Sequence, residues 1–343
     1  MIKKVILILI ISILAYFGYR AYQSLFKSNV ELNGKKYTYI YIKTGATFND
    51  VLDELFSQSI IKDEESFRWT AKGMNLAKNI NPGKYRIDGT MSNRSIIKMI
   101  INSKQEKVKL YFNSQIRTKE QFIKYIDDKL ELNESELEDY CSNNKLLSAK
   151  YNLNSDNLMA LIIPETYEVN WTITLSDLFK LIETSYNQQW TETRKAIVKK
   201  MGYSVPQVVT LASIVQCESG IKTEQQKIAG VYINRLNKNM RLQADPTIVF
   251  ANGNFEVQRV LAEDKEIDSP YNTYKYKGLP PGPICLVKPS TIDAVLNYTK
   301  HNYIYFCANS DFSGTSLFTT NFKTHLKNAQ AYQDALNKKG IKR

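Results

Sequence analysis

Apolar residues first cluster and then alternate along this chain. Val5 to Phe17 is apolar except for Ser12, with Lys3 and Lys4 before it and Arg20 after it. Counted from Ile2 to Tyr22 the segment reaches about 20 residues, enough for a helix to cross a hydrocarbon core, and Tyr16, Tyr19 and Tyr22 suit the interfacial zone. No small-x-small cleavage site follows, and no nearby cysteine offers a lipidation site. The pattern predicts an uncleaved anchor over residues 1–25, with its basic end cytoplasmic and the rest of the chain outside.

Past the anchor the period changes. Tyr37 to Ile42 alternates as a strand, Lys43-Thr44-Gly45 turns, and Thr47 with Asp50 makes a capping-box pattern before a helix whose apolar face is Val51, Leu52, Leu55 and Phe56. Asp63 opens a second helix carrying Phe67 and Ala71. Asn81-Pro82-Gly83 then leads into a short strand, Lys84 to Ile87, and Ser92 to Ile101 is helical again. Strand, helix, helix, strand is the pattern of a small binding module.

Alternation returns from Lys107 to Phe112. Helical patterns follow over 118–130, where Phe122, Ile123, Ile126 and Leu130 share a face, and over 134–147. Leu161 to Tyr167 is an apolar run cut by Pro164, and a long helix is expected over 175–200 with Leu178, Leu181, Ile182 and Trp190. A strand from Tyr303 to Cys307 and a helix from Thr324 to Leu336 come last. Eight of the nine prolines lie at or after Pro164, so this later region is loop-rich but stiff, as a fixed surface groove requires.

Composition narrows the chemistry. At 343 residues and 43% hydrophobic, the chain can bury more than one core. Two histidines and four cysteines, with no CxxC pair and no HExxH helix, exclude a structural zinc site, and no metal or other cofactor is expected. No GxGxxG or GxxxxGK[ST] occurs, which removes the usual warrants for nucleotide binding. The net charge of +12 is spread out and broken by acidic residues, as in Lys62-Asp63-Glu64-Glu65, so a nucleic-acid partner is not expected. A cationic surface also suits an anionic, extended polymer or an acidic headgroup layer. The spacing of Cys141, Cys217, Cys285 and Cys307 does not resemble a dense disulfide framework and leaves their pairing open.

One carboxylate stands out. Pro206 to Glu218 reads as a buried helix with proline in its first turn. At 100° per residue, Glu218 falls within about 60° of Leu211, Ile214 and Val215, while Gln216 points nearly the opposite way. A carboxyl group emerging from an apolar wall has its pKa raised by desolvation, and can then donate a proton to a leaving oxygen near neutral pH. A helix-end glutamate in a salt bridge is the plainer alternative. After it come a helical segment, Ala229 to Leu236, an Asp245-Pro246 turn closing Met240 to Thr247, and two rigid loops, Ser269 to Tyr274 and Gly278 to Ile284. Their tyrosines could stack on sugar rings.

Residues 206–343 resemble the catalytic domain of the endolytic murein transglycosylase family (MltG, YceG-like). The segments that carry the likeness are LASIVQCES, VYINRLNKNMRLQADPT, SPYNTYKYKGLPPGPI and Phe318-Thr319-Thr320-Asn321 with His325, together with IIPETYEV at 162–169. Many members have Glu-x-Glu where this chain has Gln216-Cys217-Glu218, so the acid falls to Glu218. The family's histidine before its final Phe-rich strand is Ser316 here.

The resemblance implies an α+β fold: a membrane-anchored chain with a small LysM-like module over 30–110, followed by a mixed α/β catalytic domain over 111–343. It implies endolytic cleavage of the MurNAc–GlcNAc β-1,4 bond, leaving 1,6-anhydroMurNAc ends and limiting nascent strand length. Catalysis then rests on Glu218. By motif position Asn234, Arg235, Gln243, Asp245, Tyr271, Asn272 and Tyr274 would shape the substrate groove. Peptidoglycan glycan strands are the expected partner, the cell inner membrane the expected site through one N-terminal helix, and peptidoglycan synthases a further partner class. Two rivals stay open: a two-carboxylate hydrolase in which Asp245 activates water, and a non-enzymatic wall-binding scaffold.

Overall fold

The computed structural model describes residues 2–257 and 259–340. The expected boundaries written at residue 1 and at 341–343 lie outside the described residues. The chain divides into two compact units. The first holds residues up to Leu110 together with Asp128–Leu132 and Glu168–Thr174; the second holds Tyr111–Asp127, Asn133–Tyr167 and the chain from Leu175 onward.

The first unit begins with helix α1 (Ile2–Phe26), apolar, with no residue buried and long enough to cross a membrane. Its 25 residues span about 37 Å. Strand β1 (Tyr37–Ile42), helices α2 (Phe48–Ser57) and α3 (Glu64–Gly73), strand β2 (Gly83–Asp88) and helix α4 (Asn93–Ile101) follow in the order the periodicity predicts. β1 and β2 pair antiparallel from Tyr37 opposite Asp88 to Ile42 opposite Gly83. Alternation then drives Ile40, Ile42, Tyr85 and Ile87 onto one face, where they meet Val51, Leu52, Leu55, Phe67 and Ile96 in a closed core. The expected capping box is present, with Thr47 N–H donating to the Asp50 carboxylate at 2.6 Å and Asp50 N–H to Thr47 Oγ1 at 3.3 Å. Asn93 Nδ2 donates to the Ser24 carbonyl in the last turn of α1 at 3.0 Å, and the Thr70 hydroxyl donates to the Ser66 carbonyl at 2.8 Å.

Strand β3 (Val108–Tyr111) and helices α5 (Lys119–Asp127), α6 (Glu134–Ser142) and α7 (Asn144–Tyr151) come next, then strand β4 (Thr166–Val169) and helices α8 (Leu175–Gln189) and α9 (Glu192–Met201). Two helices expected as continuous are split. The 134–147 pattern breaks at Asn143, whose side chain accepts from Leu146 N–H and so caps a new helix. The 175–200 pattern breaks where Trp190 plugs the core and Thr191 accepts from Arg194 N–H. In both, a local cap outweighs the apolar period running through it.

The rest of the second unit comprises helices α10 (Val205–Glu218), α11 (Lys222–Asn237), α12 (Asp245–Asn252) and α13 (Pro289–Leu296), strands β5 (Tyr305–Ala308) and β6 (Ser316–Thr319), and helix α14 (Phe322–Lys338). β5 and β6 pair antiparallel, Tyr305 opposite Thr319 and Ala308 opposite Ser316. α10 is the axis of this core. Ser204 and Gln207 close a capping box at its start, Pro206 occupies its first turn, and Val208 through Val215 are all buried. The two hydroxyls in that run are satisfied locally, Thr210 on the Pro206 carbonyl and Ser213 on the Thr210 carbonyl. Asp245-Pro246 does not close a segment as a turn but opens α12, because proline at a helix start gives up only an N–H that would have no partner there. α11 packs so closely that a Cβ on Gly230 would lie 2.5 Å from the Thr299 carbonyl oxygen.

Candidate active site

α10 ends at Glu218, and α11 returns beside it after a short bend. The Tyr232 hydroxyl on α11 donates to Glu218 Oε1 at 2.5 Å. Tyr232 is 1% exposed, so its hydroxyl needs a protein partner and finds this one. Glu218 itself is half-buried: part of the residue reaches solvent, while its carboxyl sits in packed protein. Desolvation pushes its pKa up to about 7; the Tyr232 hydrogen bond and the Arg235 charge pull it down, and Asp245 adds to the rise. Burial and the same carboxylate hold the Tyr232 hydroxyl well above its usual value, so it remains the donor. Gln216, two residues earlier, reaches the other way, donating to the Leu286 carbonyl and accepting from Lys288 N–H.

Arg235 is 7% exposed, one turn beyond Tyr232. Its Nε donates to the Ile304 carbonyl at 2.6 Å and its Nη1 to the carbonyls of Arg241 and Leu242 and to Gln243 Oε1. The guanidinium also lies 5.3 Å from the Tyr305 ring centroid, and His325 stacks on that ring. One side chain therefore ties α11 to β5 and to the segment entering α12, and its charge also acts on Glu218. Gln243 holds φ at +52°, a left-handed conformation uncommon for its type, while its N–H donates to the Thr273 carbonyl.

Asp245 starts α12 with its side chain exposed, accepting from the Tyr274 hydroxyl and facing Lys265 Nζ at 3.7 Å. Burial and the neighbouring carboxylates Asp245 and Glu218 raise the Tyr274 pKa, so this phenol also remains protonated and donating. A recess of about 460 Å³ opens beside Tyr274, lined in part by Arg241, Lys265 and Lys275. A larger cavity of about 730 Å³ lies at the other end of α10, among Ser204, Gln207, Asn157, Asn237 and Pro281. Its lining on α10 runs from Ser204 to Thr210 and does not include Glu218, so the carboxyl, not the volume, marks the candidate centre.

Of the residues singled out from sequence, Glu218, Arg235, Gln243, Asp245 and Tyr274 are brought into one neighbourhood. Three others face elsewhere. Asn234 donates to the carbonyls of His301 and Tyr303. Tyr271 packs on Phe250, ring centroids 4.5 Å apart. Asn272 is fully buried and spends its whole amide on backbone, donating to Lys265 and Ile267 and accepting from Tyr274 and Lys275. It shapes the loop that carries Tyr274 without presenting a polar atom to a ligand. Tyr232 was missed as a site residue, although a tyrosine inside the apolar stretch Ala229 to Ile233 is a signal, since its hydroxyl must meet a buried acceptor. Glu224, 4% exposed, lies outside this neighbourhood, paired with Lys227 and accepting from the backbone N–H of Ser316. Among the described residues, no cluster of three or more His, Cys, Asp or Glu side chains could hold a metal ion.

Comparisons with known proteins agree on one family. A family profile described as the YceG-like family matches residues 40–331. An endolytic murein transglycosylase of Bacillus subtilis is 32% identical over 329 residues, covering 90% of this chain and 89% of that protein. One from Streptococcus pneumoniae strain D39 is 27% identical, covering 93% of this chain and 63% of the longer relative. A crystal structure of a YceG-like protein from Listeria monocytogenes superposes with a TM-score of 0.58 at 26% identity, over 86% of this chain and 99% of that one.

Proposed function

The chain belongs to the YceG-like family, and from that premise we propose that it is an endolytic peptidoglycan lytic transglycosylase. It cleaves the MurNAc–GlcNAc β-1,4 bond within glycan strands, leaves 1,6-anhydroMurNAc ends, and so limits the length of nascent strands. The observation that carries this reading is the Glu218 carboxyl, set in packed protein, held by Tyr232 and pushed up to about 7 by burial.

A lytic transglycosylase needs one group that is an acid first and a base second. Protonated Glu218 gives its proton to the glycosidic oxygen as the C1–O bond breaks. The resulting carboxylate takes the proton of the muramyl 6-hydroxyl as that oxygen closes on C1, and the enzyme returns to its starting state with no water consumed. A pKa near the working pH serves both steps, because neither protonation state is then costly to reach. Tyr232 stabilises the carboxylate midway through the cycle. Arg235, Gln243, Asp245 and Tyr274 form the polar wall beside the reacting bond. Asp245 is not required as a water-activating base, and no feature of the site favours the hydrolytic or scaffold alternatives.

The apolar helix α1 anchors the enzyme in the membrane by a single pass, with Lys3 and Lys4 cytoplasmic and the units after it facing the wall. Residues 30–110 serve as a LysM-like wall-binding module, a reading supported by their strand, helix, helix, strand order, and residues 111–343 serve as the catalytic domain. Peptidoglycan synthases, which extend the strands at the same membrane face, are the expected neighbours. Digestion of purified murein by the full-length protein in detergent tests the chemistry. Anhydro-ended muropeptides are expected, and reducing-end products alone would refute the assignment.

A further inference from the structure

Cys217 precedes Glu218 on the last turn of α10, and Cys285 lies 68 positions away in the loop after Pro283; their sulfurs are 3.6 Å apart, with both thiols free. Cys285 is 1% exposed, its thiol directed at the Ser213 carbonyl and touched by Gln216 Nε2. Cys217 is half-buried and has a solvent-facing part. The contact with Cys285 lowers the Cys217 pKa against burial, aided by the Arg117 guanidinium, while the same contact and burial raise the Cys285 thiol well above its ordinary value. Neither of the other cysteines shares this setting: Cys141 is sealed, with its thiol pushed up to about 12, and burial also raises Cys307. The four thiols thus divide into one close pair, in which only Cys217 is lowered, and two separate groups.

We propose that Cys217 and Cys285 form a thiol–disulfide pair, Cys217 the attacking and Cys285 the resolving sulfur, which links the end of α10 covalently to the segment following Pro283. The co-reactant is a small-molecule disulfide. The Cys217 thiolate attacks one of its sulfurs, that S–S bond breaks, and one thiolate leaves. The Cys285 thiol then gives up its proton and attacks the Cys217 sulfur of the mixed disulfide, releasing the second thiolate. Two protein thiols are oxidised to one disulfide, and the small disulfide is reduced to two thiols. The sulfurs need to close by about 1.5 Å to reach bonding distance, which side-chain rotation can contribute. Because Glu218 is the next residue, the bond also pulls on the turn that aims its carboxyl at Tyr232; this coupling rests on the transglycosylase reading above.

The test uses the full chain in detergent, native, with oxidised glutathione, followed by mass spectrometry. The wild type should lose about 2 Da, reversed by dithiothreitol, with one cross-linked peptide containing both residues. Cys285→Ser should stop at the mixed disulfide, gaining roughly 305 Da on Cys217, while Cys217→Ser leaves Cys285 unmodified because nothing delivers the oxidant to it. Unmodified Cys217 in the native wild type, or a bond formed instead with Cys141 or Cys307, would overturn the pair. Glycan cleavage should fall about tenfold or more on oxidation and recover on reduction, given how steeply rate depends on placement of a catalytic group. Unchanged cleavage in the oxidised form would overturn the coupling to Glu218. Failure of the transglycosylase reading shows differently: reduced protein would yield no anhydro ends while the mass shifts still appear.

Discussion

The Tyr232 hydroxyl and Glu218 Oε1 meet at 2.5 Å across the bend between α10 and α11. The contact opposes the desolvation that the same packing imposes on the carboxyl. Burial alone would hold a proton too firmly for Glu218 to act as a base in the second step. Hydrogen bonding to the charged form restores part of that capacity, and the balance lies at about 7.

Removing the acid while keeping its shape isolates this chemistry. Glu218→Gln should lower the release of anhydro muropeptides by about 10²- to 10⁴-fold, the range that general acid–base catalysis contributes. Binding to insoluble murein should persist. Chromatography with mass detection reads the first and co-sedimentation the second; cleavage retained at the wild-type rate would remove Glu218 from the mechanism.

The position of that titration sets two pH dependences. The first step needs protonated Glu218, so kcat/KM should decline as pH rises through about 7. For stability, the folded-state pKa of this acid is raised, from a reference of 4.5. The folded state then binds more protons than the unfolded one between those values, and stability falls as pH rises across that window. Above pH 7 the cost of ionising Glu218 is fully present, on the order of 3 kcal/mol. Glu218→Gln should therefore melt higher than the wild type at pH 8, and the gap should close toward pH 5. A constant gap across that range would contradict the desolvated carboxyl.

Tyr232→Phe keeps the buried ring and deletes the donor. The Glu218 pKa should rise further, moving the descending limb of the pH–rate profile to higher pH, while kcat at pH 7 drops because the carboxylate intermediate loses its partner. A purely structural tyrosine would lower the melting temperature without moving that limb. The pH profile is thus the informative measurement, with thermal unfolding as its control.

Close backbone approach makes a separate prediction at the loop before Cys285. A Cβ on Gly282 would lie 1.9 Å from the Asp156 carbonyl oxygen, a contact that only backbone displacement can relieve. Gly282→Ala should cost about 2 kcal/mol or more, as overpacking of rigid structure does. Calorimetry would detect it as a lower melting temperature; an unchanged value would mean the two segments do not touch.

Much of the architecture was legible because its causes are local. The Thr47 and Asp50 pair announces α2, and alternation in Tyr37 to Ile42 announces β1. Pro206 ahead of a continuous apolar run announces α10 as a buried helix, and the 100° step places Glu218 and Gln216 on opposite sides of it, as found. Where the reading failed, a short-range bond overrode a longer pattern. Asn143 and Thr191 each cap a new helix inside what reads as one amphipathic stretch, and Asp245-Pro246 starts a helix where it reads as a turn. β6 and α13 are short and carry no strong period, so their formation rests on neighbours distant in sequence.

The sequence by itself determined that Glu218 would leave its helix on the side of the apolar wall, since helix periodicity is a property of consecutive residues, while its role as the acid is what the family resemblance implies. It also determined the N-terminal apolar helix, whose uncharged run from Val5 to Tyr19 needs no tertiary partner. Only the tertiary structure decided what surrounds the carboxyl: that Tyr232 would meet it, that Arg235 would be spent on the carbonyls of Ile304 and Leu242, that Asn272 would turn inward, and that Cys217 would face Cys285. Each of these joins residues that chain folding, not spacing, brings together, and a polar group's role depends on the partner that its burial obliges it to find.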